Sequence, residues 1–115
     1  NVALGGTLHQ DIRPLHKRTY NRPGLLPTQQ VRLEPDSVLA GVCGKTHLRV
    51  NRLHHQAIRG AAADLKVVGQ DPAAITQAVE SAAGRPILGV QWHPEYLIYL
   101  PAQFALFRWL LRRVA

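Results

Sequence analysis

The stretch PILGVQWHPE, residues 86–95, decides the fold. Pro86 to Val90 is an apolar run, and with Trp92 it reads as a buried strand. That strand ends in a histidine, a proline and a glutamate. In open α/β sheets ligands bind where strands run out into loops, so His93 and Glu95 stand where chemistry is expected. The residue before a proline is pushed out of the helical region into an extended conformation. In an extended segment residues i and i+2 share a face, with Cα atoms about 6.5–7 Å apart. His93 and Glu95 can therefore meet, with Pro94 stiffening the link. A carboxylate on one imidazole nitrogen fixes the tautomer and leaves the other nitrogen free as a base. On spacing alone the alternative is a strand-end histidine that caps a loop beside a solvated glutamate.

Working outward, the rest of the chain alternates between elements. Residues 1–4 read as the end of a helix, with Gly5 and Gly6 supplying a left-handed cap. Residues 13–29 hold three prolines and one glycine without a sustained period, and read as an irregular loop. QVRLE (30–34) alternates Val31 and Leu33 as a strand. SVLAGV (37–42), opened by Pro35, Asp36 and Ser37 and closed by Gly44, reads as a short helix. HLRVN (47–51) and LKVVG (65–69) are further strands, the first leading into RLHHQAI. ITQAVES (75–81) is a strand with Ile75 and Val79 on one face, and AAGR turns the chain back into PILGVQW. The last segment is a helix: Pro101 suits its first turn, and Phe104, Phe107, Leu111 and Val114 recur at helical spacing. Arg112 and Arg113 fall in the final turn, where the dipole favours cations. The pattern is α/β.

Composition narrows the function classes. With 115 residues, 46% of them hydrophobic, the chain is globular and suits one small domain or part of a larger one. No apolar run is long enough for a membrane span, and NVALGGTLHQDI lacks the marks of a secretory signal. The opening lacks an initiator Met and reads like mid-helix, which suggests a fragment. One cysteine excludes an internal disulfide framework and fits a reducing compartment, so a cytoplasmic location is expected. The net charge of +7 raises nucleic-acid binding. The eleven arginines are scattered, however, and the longest cluster is only RTYNR (18–22) beside Lys17, followed by a Pro/Gly loop, which favours a plain basic surface.

No nucleophile for His93 is evident within the chain. Cys43 lies at the end of a short amphipathic helix and reads as a small packed hydrophobe. Ser37 reads as a helix-start residue and Ser81 as a hairpin residue. In the second polar cluster, His47, His54, His55 and Gln56, adjacent histidines in an extended segment face opposite ways. They cannot chelate one metal from one face, and no carboxylate or thiol stands at ligand spacing, so no metal or other cofactor is expected. One histidine with Gln56 facing a cleft and two ordinary loop residues are equally compatible with the spacing.

VNRLHHQAI (50–58), followed about forty residues later by ILGVQWHPE (87–95), resembles the C-terminal half of class I glutamine amidotransferase-like proteins. The similarity is greatest to the γ-glutamyl-γ-aminobutyrate hydrolase group, peptidase family C26. NVALGGTLHQDI resembles the segment following that group's nucleophile elbow, where Cys-Arg-Gly-x-Gln runs into Asn-Val-x-x-Gly-Gly-Thr-Leu-x-Gln-Asp. The three anchors occur in order over most of the chain. The resemblance implies a flavodoxin-like α/β domain, of which residues 1–115 are the C-terminal part, the nucleophile-bearing N-terminal part being absent. It implies His93 as catalytic histidine, Glu95 as its orienting carboxylate, and a nucleophilic cysteine shortly upstream of Asn1. His54, His55 and Gln56 would line the γ-glutamyl site.

The implied activity is hydrolysis of a γ-glutamyl amide through a cysteine thioester, a step in polyamine breakdown if the amine is γ-aminobutyrate. A glutaminase domain feeding ammonia to a synthase is the close alternative, and an inactive fragment or pseudoenzyme a third. The implied partners are the small-molecule amide and the missing half-domain, with a homo-oligomer also compatible. Three departures stand out. Arg52 replaces a small hydroxyl residue in VNSLHHQ and would put a long cation beside the pocket. DPAAITQAVE stands where DGxIEAIE is usual, so Pro72-Ala73 replaces a glycine-containing turn and Gln77 a glutamate. Gln29-Gln30 stand where a His-x-Val pattern is common.

Overall fold

The structure is a computed structural model and describes residues 1–10, 24–52 and 56–114. In chain order these form β1 (Thr7–His9), β2 (Gly24–Leu33), α1 (Val38–Cys43), β3 (His47–Arg52), β4 (Ala57–Gly60), β5 (Leu65–Gln70), β6 (Thr76–Ser81), β7 (Leu88–Val90) and α2 (Pro101–Val114). A five-stranded sheet has the order β3-β2-β5-β6-β7, and β1 pairs with β4 in a separate ribbon. Every described pairing is antiparallel. The α/β class is as the sequence predicts.

The main core lies between the sheet and the two helices. Val31, Leu33, Leu48, Val50, Val68 and Ala78 meet Leu39 and Cys43 of α1, Ala102 of α2, and Trp92 and Leu97 from the chain between β7 and α2. On the opposite face, Ile75 packs with Ala57 of β4, and Val79 with Ala62, Leu65 and Ile58. Ile75 and Val79 thus share a face, as their spacing predicts. β6 is covered on both sides and every one of its residues is buried, including Gln77 and Glu80. Gly69 leaves room for a close approach, since a Cβ there would stand 3.0 Å from both Leu33 Cδ2 and Ala78 Cβ.

The short helix α1 forms because its first amides are fully satisfied. Ser37 Oγ accepts from Ala40 N at 3.0 Å. The two oxygens of Glu80 accept from Val38 N and Leu39 N at 3.1 Å each. Gly44 closes the helix in the left-handed region, at φ 70°.

Several elements depart from the sequence reading. Residues 24–29, read as irregular loop, belong to β2. Between the pairs Gly24↔Arg52 and Gln29↔Val50 the ladder carries extra residues on β2, and Pro27, which has no amide to donate, falls in that bulge. Residues 13–23 lie outside the described residues. β1 and β4 were unforeseen: each is too short to show alternation, and they form by pairing with each other. β7 is only Leu88–Val90 and half-buried, although Trp92 beyond it is buried. In α2 the predicted apolar face is not the packed one. Phe104 and Leu111 are 45% and 63% exposed, while Ala102 and Gln103 face the core. No helix among the described residues is long and apolar enough to cross a membrane.

Candidate functional site

Beyond β7, Gln91 N still donates to Gln77 O of β6 at 2.8 Å, and the chain then leaves the sheet. The Trp92 indole goes inward and donates to Gln103 Oε1 of α2 at 2.8 Å. Gln103 Nε2 in turn reaches Arg49 O of β3 at 3.5 Å. His93 is held by its main chain. Its N–H donates to Asn51 Oδ1 and its carbonyl accepts from Asn51 Nδ2, both at 2.8 Å.

His93 has φ −107° and ψ 88°, outside the helical region as a residue before proline must be. Pro94–Tyr96 then form a single 3₁₀ turn, closed by Leu97 N donating to Pro94 O at 2.9 Å. The fully buried Leu97 anchors that turn in the core. The segment 93–95 is therefore the mouth of a turn and not a continuous extended strand. The two side chains still meet: His93 Nδ1 lies 3.3 Å from Glu95 Oε2. The His93 and Glu95 side chains are 45% and 54% exposed, and an ion pair so open contributes little to folding. Its orientation matters for chemistry: Glu95 occupies Nδ1, which leaves Nε2 as the nitrogen able to take and return a proton. The Tyr96 ring flanks the imidazole, with centroids 6.1 Å apart.

The other candidate residues distribute as follows. Gln56 precedes β4 and donates from Nε2 to Gln10 Oε1 at 3.0 Å, bridging toward the β1 end of the ribbon. His54 and His55 lie outside the described residues. Arg52, expected as a cation beside the pocket, is buried. Burial pushes its guanidinium below its usual value, opposed by the nearby Asp71 carboxylate. Asp71 itself accepts from Ala73 N and Ile75 N and from Gln77 Nε2, so the Pro72-Ala73 turn is organised around a carboxylate.

Cys43 is buried, and desolvation raises its thiol to about 11, which suits packing and not nucleophilic attack. Ser37 caps α1, and Ser81 Oγ accepts from Ala83 N and Arg85 N in its hairpin. Among the described residues no group of three His, Cys, Asp or Glu is placed to hold a metal.

Asn51 and Gln103 went unnoticed in the sequence. Asn51 follows Leu48 and Val50 at a position that alternation assigns to solvent. It is instead buried, with its carboxamide bonded to the main chain of His93, a long-range contact with no local signal. Gln103 sits one residue from the apolar positions of α2 and reads as a polar helix residue.

A family model, Peptidase C26, matches residues 1–95. Among curated relatives, Protein NtpR of Enterococcus hirae is 35% identical over 102 residues, covering 83% of this chain and 42% of its own. Gamma-glutamyl-gamma-aminobutyrate hydrolase PuuD of Escherichia coli is 31% identical over 105 residues, covering 83% and 41%. The chain spans less than half the length of these relatives. A solved structure from Thermoplasma acidophilum, provisionally assigned as a GMP synthase component, superimposes with a TM-score of 0.60 at 14% identity. That superposition covers 99% of this chain and 55% of the other, and shows a shared fold.

Proposed function

The chain belongs to the Peptidase C26 family, and on that footing we propose that it supplies the proton-handling half of a γ-glutamyl amide hydrolase. The carrying observation is the His93 Nδ1 to Glu95 Oε2 contact of 3.3 Å, made by an exposed pair on a firmly anchored backbone. The nucleophile belongs to an N-terminal part of the same domain, upstream of Asn1. The relatives named as γ-glutamyl-γ-aminobutyrate hydrolase support a γ-glutamyl amide as substrate.

In the proposed reaction the upstream cysteine sulfur attacks the γ-carbonyl carbon while His93 Nε2 takes the thiol proton. Glu95 accepts from Nδ1–H and stabilises the imidazolium without itself taking the proton. The tetrahedral intermediate collapses, the C–N bond breaks, and His93 returns its proton to the departing amine. Water then attacks the thioester carbonyl with His93 as base, releasing glutamate and restoring the thiol. His54, His55 and Gln56 line the glutamyl side of the site, and the enzyme works in the cytoplasm.

The test uses the complete protein, with γ-glutamyl-γ-aminobutyrate and glutamine as substrates and glutamate release as readout. His93→Ala should lower kcat by at least a thousandfold and abolish the thioester seen by intact-mass spectrometry. Turnover retained in that variant refutes the role of His93. Turnover of glutamine alone, rising when a synthase partner is added, replaces the hydrolase assignment with ammonia donation.

A further inference from the structure

Asn51 is the penultimate residue of β3, 1% exposed, and its carboxamide gives both of its ends to one residue. Oδ1 takes the His93 N–H and Nδ2 gives to the His93 carbonyl, each at 2.8 Å. This imitates one rung of an antiparallel ladder at a point where the chain has already left the sheet. One such bond would leave the peptide free to swing about it. Two bonds, on the peptide planes either side of the same Cα, fix the direction of Cα–Cβ.

That direction matters because the imidazole is half exposed and cannot rely on surrounding packing for its aim. A second tether supports the first: Trp92, the preceding residue, is held through Gln103 to Arg49 O. Arg49 and Asn51 are alternate residues of β3, so both ties refer the histidine to one strand. In the sequence that strand is followed within a few residues by His54, His55 and Gln56.

We infer that Asn51 is a positioning residue that sets the aim of His93 relative to the end of β3. The inference rests on the reading of His93 as the proton-carrying group. A misplacement of about 1 Å at a reacting group can lower rates by about a hundredfold. The effect belongs in kcat, because Asn51 engages the histidine main chain and leaves the substrate side of the site intact.

The experiment compares Asn51→Ala and Asn51→Ser with wild type in the complete protein. Ser37→Ala, which loosens the distant α1, controls for lost stability. For Asn51→Ala kcat should fall 10- to 100-fold with KM changed less than threefold. Asn51→Ser leaves room for a bridging water and should lose less. Ser37→Ala should keep the kcat of wild type at temperatures where it is folded.

A second readout needs no turnover. In ¹⁵N NMR of the imidazole, wild type should show Nδ1 protonated and facing Glu95, and the Asn51 variants should show mixed tautomers. Folded Asn51 variants with wild-type kcat and an unchanged His93 spectrum overturn the inference. If Asn51→Ala does not fold, Asn51→Ser decides by the same criteria. Absence of turnover in wild type would remove the parent reading, whereas the tautomer comparison still decides whether Asn51 sets the histidine.

Discussion

Glu80 is the most consequential buried charge outside the site, and its replacement makes a sharp test of how this fold is held. α1 has six residues, too few for a helix to persist alone in water. Its first three amides go to Glu80 Oε1, Glu80 Oε2 and Ser37 Oγ, at 3.1, 3.1 and 3.0 Å. Lys66 Nζ stands 3.6 Å from Glu80 Oε1, but it is half exposed and adds little. Glu80→Gln keeps the volume and one accepting oxygen but turns an NH₂ group toward an amide that needs an acceptor. Leaving one buried donor unsatisfied costs roughly 1–3 kcal/mol. Glu80→Ala strands both donors and leaves a space, for a loss of roughly 2–6 kcal/mol at roughly 1–3 kcal/mol for each donor.

Two assays read this separately. In urea titrations of the complete protein the midpoint should fall in the order wild type, Glu80→Gln, Glu80→Ala, with the slope unchanged between wild type and Glu80→Gln. Cys43 ends α1 and is buried, so alkylation at that cysteine, resolved by peptide mass spectrometry, reports opening of the helix. Every 1.4 kcal/mol is a factor of ten in an equilibrium constant, so Glu80→Gln should speed labelling by roughly 5- to 150-fold. A midpoint and a Cys43 labelling rate both indistinguishable from wild type in Glu80→Gln would refute the claim that this carboxylate holds α1 to the sheet.

Two further outcomes follow from single features. Burial raises the Cys43 thiol from 9.0 to about 11, so its contribution to stability is complete below pH 9 and is lost as pH rises toward 11. Cys43→Ala should flatten the stability profile between those limits relative to wild type, and parallel profiles would contradict the assignment. Ala74 has φ 60° in the turn after Asp71, a conformation that costs an L-residue about 1–2 kcal/mol. Ala74→Gly relieves that strain, partly offset by the added freedom of the unfolded chain, and should raise stability by about 0.5–1 kcal/mol in the same urea titration.

What was legible in the sequence had local causes. The helix over residues 38–43 follows from Ser37 and Gly44 bracketing an apolar run, and the faces of Val31, Leu33, Leu48 and Val50 follow from strict alternation. The His93–Glu95 contact was legible because proline constrains its neighbour, even though the segment turns where an extended run was expected. Illegible features depend on what comes to lie against them. β1 and β4 exist only as partners. Pro27 signals a break, yet β2 continues past it by bulging. In α2 the apolar residues at 104 and 111 face outward, because the helix begins where Leu97 and Trp92 anchor the chain and thereby turns Ala102 and Gln103 toward the core.

The buried polar residues give this pattern a common cause. Glu80 joins β6 to α1, Gln103 joins α2 to Trp92 and β3, Asn51 joins β3 to His93, and Asp71 closes the turn between β5 and β6. Each stands where a backbone amide or carbonyl, or an indole N–H, would otherwise lack a ladder partner, and an unsatisfied buried group is more costly than the hydrogen bond is favourable. Polar side chains at these joints therefore do what strand pairing does elsewhere, with geometry specific to one pair of elements. Apolar packing tolerates small shifts, but a carboxamide with two 2.8 Å bonds to one residue tolerates very little. It follows that the aim of His93 depends on the joints more than on the sheet. Core substitutions such as Leu39→Ala should lower stability while sparing the histidine's geometry, whereas the loss of Asn51 should disturb that geometry first.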